Sequence, residues 1–148
     1  MVVSPQFGGY TLDKVLMDGG SSINILYYET FLRMGLTQKQ LQHSHIVFHG
    51  IFLGKLGRPI GKIYLDTTFG NSELFRSKII PLEVVYLESP YHAILGRPAY
   101  ARFMARPCYV YLKLKMSGPH GPITVEGSRS RATECNQQHV KIFLKLSN

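Results

Sequence analysis

Apolar residues occur along the chain in short runs rich in β-branched and aromatic side chains, and glycine, proline, asparagine and serine separate the runs. This pattern predicts an all-β domain, because strands are short and turn residues mark their ends. The predicted strands are residues 10–17, 45–51, 59–69, 75–85, 93–95, 109–115 and 122–125. Residues 59–69 alternate as expected of a strand with one buried face, and so do residues 109–115.

Two stretches have the features of short helices. Residues 25–34 end at Gly35, a common helix stop, and residues 98–104 begin with Pro98, which suits a first helical position. From residue 127 the sequence becomes polar and unpatterned. We therefore expect residues 1–126 to form the folded domain and residues 127–148 to be a disordered tail. The apolar letters near the end, V-K-I-F-L-K-L, could pair as an edge strand.

Length and composition fit one folded domain without a membrane span. The chain has 148 residues, 45% of them hydrophobic, and no apolar run reaches the about 18–20 residues that cross a bilayer. The N-terminus lacks the basic and apolar regions of a secretion signal. Cys108 and Cys135 are far apart and form no C-x-x-C motif. We therefore expect a reduced intracellular location, the cytoplasm, and no membrane partner.

Positive charge is concentrated in the second half of the chain. Residues 1–74 carry six Lys and Arg against five Asp and Glu, whereas residues 75–148 carry eleven against four, which gives the net charge of +8. A basic half is typical of proteins with acidic partners, nucleic acid among them. Because no basic–aromatic motif accompanies the charge, an ordinary basic surface explains it as well, and weak non-specific nucleic-acid binding stays open as an alternative.

The stretch V-L-M-D-G-G-S-S-I-N raises a chemical question, because it sets the carboxylate of Asp18 at the end of an apolar run. Burying a carboxylate is costly unless it is paired or hydrogen-bonded. The stretch does not fit a phosphate-binding loop, a nucleophile elbow or a dinucleotide fingerprint. A metal site fits poorly too, since His43, His45 and His49 have no cysteine or clear acidic ligand beside them, so no metal is expected.

A strand that ends in an acid and continues into a glycine- and serine-rich turn suits the chemistry of an aspartic protease. Glycine lets backbone N–H groups approach the carboxylate and hold it. Two such carboxylates about 3 Å apart share one proton, so one activates water while the other polarises the scissile carbonyl. The D-x-G-S pattern alone is short enough to occur by chance.

A second motif makes the pattern more specific. The letters A-I-L-G-R-P form an apolar strand that ends in Gly96 and Arg97, just before the second predicted helix. Between the two motifs, residues 49–56 have the glycines and apolar residues of a bendable hairpin. These features, in this order, resemble the retropepsins, the aspartic proteases of retroviruses and LTR retrotransposons. Residues 10–116 look most like the protease segment of the polyproteins of gypsy-type elements from plant genomes.

The resemblance implies a closed, barrel-like β fold with a flap hairpin and one or two short helices, expected as a homodimer. It assigns the catalytic aspartate to Asp18, and support of the active-site turn to Gly19, Gly96 and Arg97. The residues that would contact substrate are Gly20, Ser21, Ser22, His49, Gly50 and Ile51. It implies no cofactor, and its substrate would be an extended peptide or a polyprotein. Because the chain has a single D-x-G motif, two copies would each supply one aspartate.

One position departs from the family pattern. Gly19 stands where active members carry Ser or Thr, whose hydroxyl bonds across the dimer. Without that hydroxyl the pair of aspartates should be looser and the dimer weaker, at a cost of about 1 kcal/mol per missing hydrogen bond. Two functions therefore stay open from the sequence. One is an active aspartic endopeptidase, and the other is an inactive retropepsin-fold remnant that serves as a peptide-binding or dimerisation module.

Overall fold

The computed structural model describes residues 1–46 and 58–147, and in this part of the chain most strands belong to one eight-stranded sheet. In chain order its strands are β1 Val2–Val3, β2 Gln6–Phe7, β3 Tyr10–Thr11, β4 Val15–Met17, β5 Ile25–Tyr27, β6 Gly61–Gly70, β7 Phe75–Val85 and β8 Ala93–Leu95. Their order across the sheet is β1-β4-β8-β5-β7-β6-β2-β3. A smaller sheet consists of β9 Arg106–Cys108, β10 Lys113–Gly118 and β11 Gly121–Glu126, in the order β11-β10-β9.

The strand β8 lies between β4 and β5, although both precede it by a long stretch of chain. It runs parallel to β4, with Leu95 opposite Met17, and antiparallel to β5, with Ala93 opposite Leu26. All three strands are short and largely apolar, as expected for strands in the interior of a sheet. The end of β4, which Asp18 follows, therefore lies beside the end of β8.

Helices account for much of the remaining described chain. They are α1 Tyr28–Arg33, α2 Arg97–Phe103 and α3 Arg129–Ser147, with a single 3-10 turn at Gln38–Gln40. The helix α2 begins directly after Gly96, has Pro98 in its first turn and ends at Phe103, followed by the C-cap residue Met104 with a φ of 50°. The helix predicted at residues 98–104 is thus confirmed, with each end one residue earlier.

The hydrophobic core joins both sheets to α1 and α2. Phe7, Phe31, Phe69 and Phe103 are all fully buried, and the rings of Phe69 and Phe103 pack edge to face with their centroids 4.9 Å apart. The smaller sheet adds Leu114, which is also fully buried. Full burial of each such side chain contributes about 1.5–3 kcal/mol. Because Phe103 is part of this core, α2 is fixed against the sheet, and the residues at its first turn are fixed with it.

Several predicted strands are confirmed. Residues 75–85 and 93–95 coincide with β7 and β8, and residues 122–125 lie within β11. The alternation predicted for residues 59–69 is present in β6, where buried and more exposed positions follow one another along most of the strand. The strand predicted at residues 10–17 is two shorter strands, β3 and β4.

Two predictions are wrong in part because tertiary pairing and a turn override the local pattern. The first residues of the helix predicted at 25–34 form β5, since they pair with both β7 and β8, and the helix begins only at Tyr28. In the strand predicted at 109–115, residues 109–112 form a turn. Leu112 has a φ of 50° in this turn, a value that no strand residue adopts.

The tail expected at residues 127–148 is instead largely helical, since α3 occupies residues 129–147. Charged contacts hold this helix to the start of the domain. Lys14 Nζ lies 3.0 Å from Glu134 Oε1, and Arg131 Nε lies 3.3 Å from Asp13 Oδ2. Cys135 of this helix is fully buried, and its Sγ lies 3.8 Å from Pro90 O. A disordered tail and an edge strand are therefore both wrong for this segment.

Some sequence predictions fall outside the described residues. The strand predicted at residues 45–51 reaches the described part only at His45 and Ile46, which are not in a strand. The predicted hairpin at residues 49–56 lies wholly outside it.

The rings of His43 and His45 pack edge to face, with centroids 4.7 Å apart. No helix in the described ranges is long and apolar enough to cross a membrane.

Candidate active site

The carboxylate of Asp18 is held by the turn that follows β4. The backbone N–H of Asp18 donates to Leu95 O at 2.8 Å, which ties the residue to the neighbouring strand β8. Its side-chain Oδ1 accepts a hydrogen bond of 2.9 Å from the backbone N–H of Gly20. A carboxylate bonded to a backbone N–H is fixed in direction as well as position. Asp18 as a whole is only partly buried.

Close packing explains two of the three glycines at the site. A Cβ on Gly96 would lie 2.5 Å from the carbonyl oxygens of both Ser21 and Ile23, which no side chain can tolerate. A Cβ on Gly20 would lie 3.2 Å from Asp18 Oδ1, tighter than most contacts. Glycine at residue 96 therefore lets the end of β8 approach the turn, and glycine at residue 20 lets the carboxylate of Asp18 do so.

Gly19 differs from the other two glycines because its surroundings leave room for a side chain. A Cβ there would meet Tyr109 Oη at 3.8 Å and Tyr100 Cε2 at 4.0 Å, which are ordinary contact distances. Its φ is also outside the positive region that requires glycine. Neither the backbone nor the packing explains why residue 19 has no side chain.

The hydroxyl of Ser21 is used within the turn itself. It donates to Ile23 O at 2.7 Å and accepts from Ile23 N at 3.4 Å. The carbonyl of Ser21 accepts from the backbone N–H of Arg97 at 2.9 Å. Ser22, in contrast, is exposed. Of the two serines, Ser21 therefore braces the turn, and Ser22 is the one whose side chain faces solvent.

The second sequence motif contacts this turn directly. Nη1 of Arg97 lies 3.4 Å from Gly20 O and 3.5 Å from Gly19 O, and both are long, exposed hydrogen bonds. Together with the Arg97 backbone N–H, they join the first turn of α2 to residues 19–21. The structure thus brings Asp18, the three glycines and Arg97 together, as the motifs predict.

Sequence reasoning missed Asn24, which lies between two isoleucines and is only 2% exposed. Its Oδ1 accepts from Gly96 N at 2.9 Å, and its Nδ2 donates to Pro81 O at 2.9 Å. A polar amide in an apolar run is itself a signal, because such a side chain is buried only when its hydrogen bonds are satisfied.

Two tyrosines near Gly19 were also missed. The hydroxyl of Tyr100 is buried and makes no hydrogen bond of standard geometry with any described residue. Burial, and then the neighbouring Tyr109 hydroxyl, raise the pKa of Tyr100, and the Asp18 carboxylate adds to the effect. Tyr100 therefore stays neutral close to the carboxylate. No sequence signal indicates this pair, because the alternation of residues 109–115 predicts a strand where Tyr109 lies in a turn.

The remaining predicted site residues, His49, Gly50 and Ile51, lie outside the described residues.

The overall structure resembles known proteins more clearly than the sequence does. No protein-family profile and no curated protein matches the sequence. The retroviral protease-like domain of Ddi1 from Leishmania major superimposes with a TM-score of 0.64 and 15% identity, over 85% of this chain and 91% of that one. A retropepsin-like aspartic protease from Rickettsia conorii superimposes with a TM-score of 0.52 and 15% identity, over 83% of this chain and 79% of that one. The chain therefore has the retropepsin-type fold.

Proposed function

We propose that the chain is an aspartic endopeptidase of the retropepsin type, with an active site built from two copies that each supply Asp18. The observation that carries the proposal is the Asp18 carboxylate at the end of β4, held at 2.9 Å by the Gly20 amide. A partly exposed carboxylate fixed in this way suits general acid–base chemistry. The fold supports the same assignment by analogy.

The proposed reaction needs a second carboxylate. The sequence has one D-x-G motif, so a twofold axis between two copies would provide the other. Of two carboxylates that lie close together, one is protonated and the other ionised. The ionised group takes a proton from water while the water oxygen attacks the carbonyl carbon, and the protonated group hydrogen-bonds to the carbonyl oxygen. The carboxyl group that took the proton from water then gives a proton to the nitrogen as the C–N bond breaks, which releases an amine and a carboxylic acid and leaves one proton on the pair.

The proposed substrate is an extended peptide within a polyprotein. This part of the proposal rests on the D-G-G-S-S and I-L-G-R-P-A letters, which resemble those of gypsy-type retrotransposon proteases from plants. Residues 49–56 would cover the bound peptide as a flap.

A second function rests on Gly19, which offers no hydroxyl beside the aspartate. A chain with this turn could fold, dimerise and bind peptides in its cleft without cleaving them. It would then be an inactive retropepsin-fold module for peptide binding or dimerisation.

Cleavage of a peptide library at about pH 4–6 distinguishes the two functions, since one carboxyl group of the pair must stay protonated. The wild type is compared with Asp18→Asn and with the control Asp66→Asn, which changes an exposed acid on β6. Sedimentation and thermal melting accompany each assay. We expect cleavage by a dimeric wild type and by Asp66→Asn, and none by a folded Asp18→Asn.

Turnover that survives Asp18→Asn would rule out the aspartic mechanism. A folded wild-type dimer that cleaves no peptide would favour the binding module. A folded wild-type monomer would locate the defect in dimerisation, at Gly19 or in flanking chain.

A further inference from the structure

The space beside Gly19 is bounded by Tyr100 and Tyr109, which we call the tyrosine pair. The hydroxyl of Tyr109 lies 3.8 Å from the point that a Cβ of residue 19 would occupy, and the ring of Tyr100 lies 4.0 Å from the same point. A side chain on residue 19 would therefore extend toward the tyrosine pair.

The helix α2 contacts the active-site turn through two of its residues. Arg97 binds the carbonyls of Gly19 and Gly20, and Tyr100 follows three residues later. Residues three apart lie on the same face of a helix. The turn thus has the Arg97 guanidinium on its carbonyls and the Tyr100 ring beside Gly19.

Tyr109 is held in place by the turn at residues 109–112. The carbonyl of Tyr109 accepts from Leu112 N at 3.3 Å, and Leu112 O accepts from Gly127 N at 2.7 Å. Just before the turn, Cys108 pairs with Lys113 of β10. Although Tyr109 is 56% exposed, its backbone is therefore fixed on the smaller sheet.

The buried hydroxyl of Tyr100 gives an independent reason to assign a role to the pair. A buried hydroxyl without a hydrogen bond is costly, and native proteins rarely retain one. The Tyr109 hydroxyl is the polar group with the larger effect on the pKa of Tyr100, and the Asp18 carboxylate has a smaller one. A small shift would join the two hydroxyls beside Gly19.

We propose that Tyr109 is a positioning residue for Asp18, because its hydroxyl borders the space beside Gly19 and, with Tyr100, limits the movement of the turn that directs the carboxylate. This inference rests on the proposed function. It couples residue 19 to Tyr109, since the Cβ of a side chain at residue 19 would lie 3.8 Å from the Tyr109 hydroxyl. A serine at residue 19 would bring a second hydroxyl to the same region.

The test uses variants of the full chain that remove or restore one hydroxyl. Tyr109→Phe removes it from the tyrosine pair, and Gly19→Ser adds one on the turn. The control is Tyr111→Phe, which makes the same change in the same turn at a residue that is 71% exposed. Sedimentation and melting temperature are recorded for each variant, and the kinetic readouts are kcat and KM separately.

We expect Tyr109→Phe to lower kcat about tenfold with little change in KM, which is the effect of one hydrogen bond acting on the reacting groups. Tyr111→Phe should match the wild type. The double variant Gly19→Ser/Tyr109→Phe should recover most of the lost kcat. A wild-type kcat in Tyr109→Phe, or a double variant that is worse than Tyr109→Phe, would overturn the inference.

Amide hydrogen exchange at Gly20 separates this inference from the proposed function, because it needs no turnover. The Gly20 N–H is bonded to Asp18 Oδ1, so its exchange reports on the shape of the turn. We expect faster exchange in Tyr109→Phe and unchanged exchange in Tyr111→Phe. If the wild type cleaves nothing but this difference appears, the proposed function fails and the positioning role stands. If exchange is the same in all variants, the positioning role fails whether or not the chain is a protease.

Discussion

The side chain of Asn24 connects the two motifs of the candidate site, since its Oδ1 accepts a hydrogen bond of 2.9 Å from the backbone N–H of Gly96. The same amide donates to Pro81 O on β7 at 2.9 Å. One buried residue thus joins the chain just after the Asp18 turn, the end of β8 and the middle of β7. The bond to Gly96 lies next to Leu95, whose carbonyl accepts the hydrogen bond from the backbone N–H of Asp18.

Replacing Asn24 with alanine should destabilise the protein strongly. Gly96 N and Pro81 O would each lose a partner in the interior, at about 1–3 kcal/mol per group, so we expect a loss of about 2–6 kcal/mol. Urea unfolding measures this loss. The control Asn136→Ala, at an exposed position of α3, should stay within about 0.5 kcal/mol of the wild type. Equal effects of the two variants would show that the Asn24 bonds contribute little.

Gly96→Ala should be among the most damaging single changes in the domain. Its Cβ would lie 2.5 Å from two carbonyl oxygens, so the turn or α2 must move, and we expect a loss of more than about 3 kcal/mol. Gly9→Ala is the matched control, because a Cβ at Gly9 meets nothing within 4 Å. Thermal melting of both variants tests this. A Gly96→Ala protein as stable as Gly9→Ala would mean that the close approach of the turn is not required.

His92 should make stability depend on pH. Its Nδ1 accepts from Lys14 N at 3.2 Å and therefore carries no proton. Burial lowers the pKa of His92, and the nearby Asp13 only partly opposes this. Since the unfolded chain binds the proton more readily, the contribution of His92 is complete above its ordinary pKa and is lost as the pH falls through the lowered value.

The free energy of unfolding at about pH 7.5 and about pH 5 tests this sign, because these values lie on either side of the ordinary histidine pKa. The wild type should lose more stability between them than His92→Asn does. His120→Asn, which changes an exposed histidine, should behave as the wild type. If His92→Asn leaves the pH dependence of stability unchanged, other titratable groups must cause that dependence.

The two cysteines should report on whether α3 stays in contact with the domain. Cys135 is fully buried, and burial raises the pKa of its thiol, so it is protonated and shielded. Cys108 is only partly buried. A thiol reagent at neutral pH should modify Cys108 in the native protein and Cys135 only after unfolding.

The variants Cys108→Ser and Cys135→Ser assign the two labelling phases. In native Cys108→Ser, we expect almost no labelling, whereas native Cys135→Ser should label as the wild type does. Rapid modification of Cys135 in the native protein would mean that α3 detaches readily, as the tail expected from the sequence would.

The sequence indicates that its two motifs come together, and the structure places them side by side, whereas several elements around them differ from prediction. β7 and β8 are predicted correctly because each is an apolar run with clear ends. The motifs that contain Asp18 and Gly96 are recognised from their residue types and order. The strand at residues 25–27 cannot be predicted in this way, because it forms by pairing with strands far away in sequence. Local propensity cannot include such pairing.

The helix α3 and the tyrosine pair were not predicted either, because they too depend on contacts between distant residues. The first residues of α3 are polar and have no apolar period, and contacts with Asp13 and Lys14 at the other end of the chain hold the helix in place. Tyr109 was assigned to a regular strand by its alternation, yet the left-handed Leu112 turns the chain there. Both depend on contacts between distant residues, which a single sequence does not contain.

The insertion of β8 between β4 and β5 has a consequence for the order of folding. During translation the Asp18 turn is synthesised early, whereas Leu95 and Gly96 are synthesised only after β6 and β7. Such non-local contacts form slowly, because a long loop must close before they are gained. Until then β4 has an open edge and Asp18 lacks the Leu95 carbonyl that holds its backbone. A nascent or truncated chain therefore carries the aspartate but not its geometry, and any chemistry at this turn begins only with the finished domain.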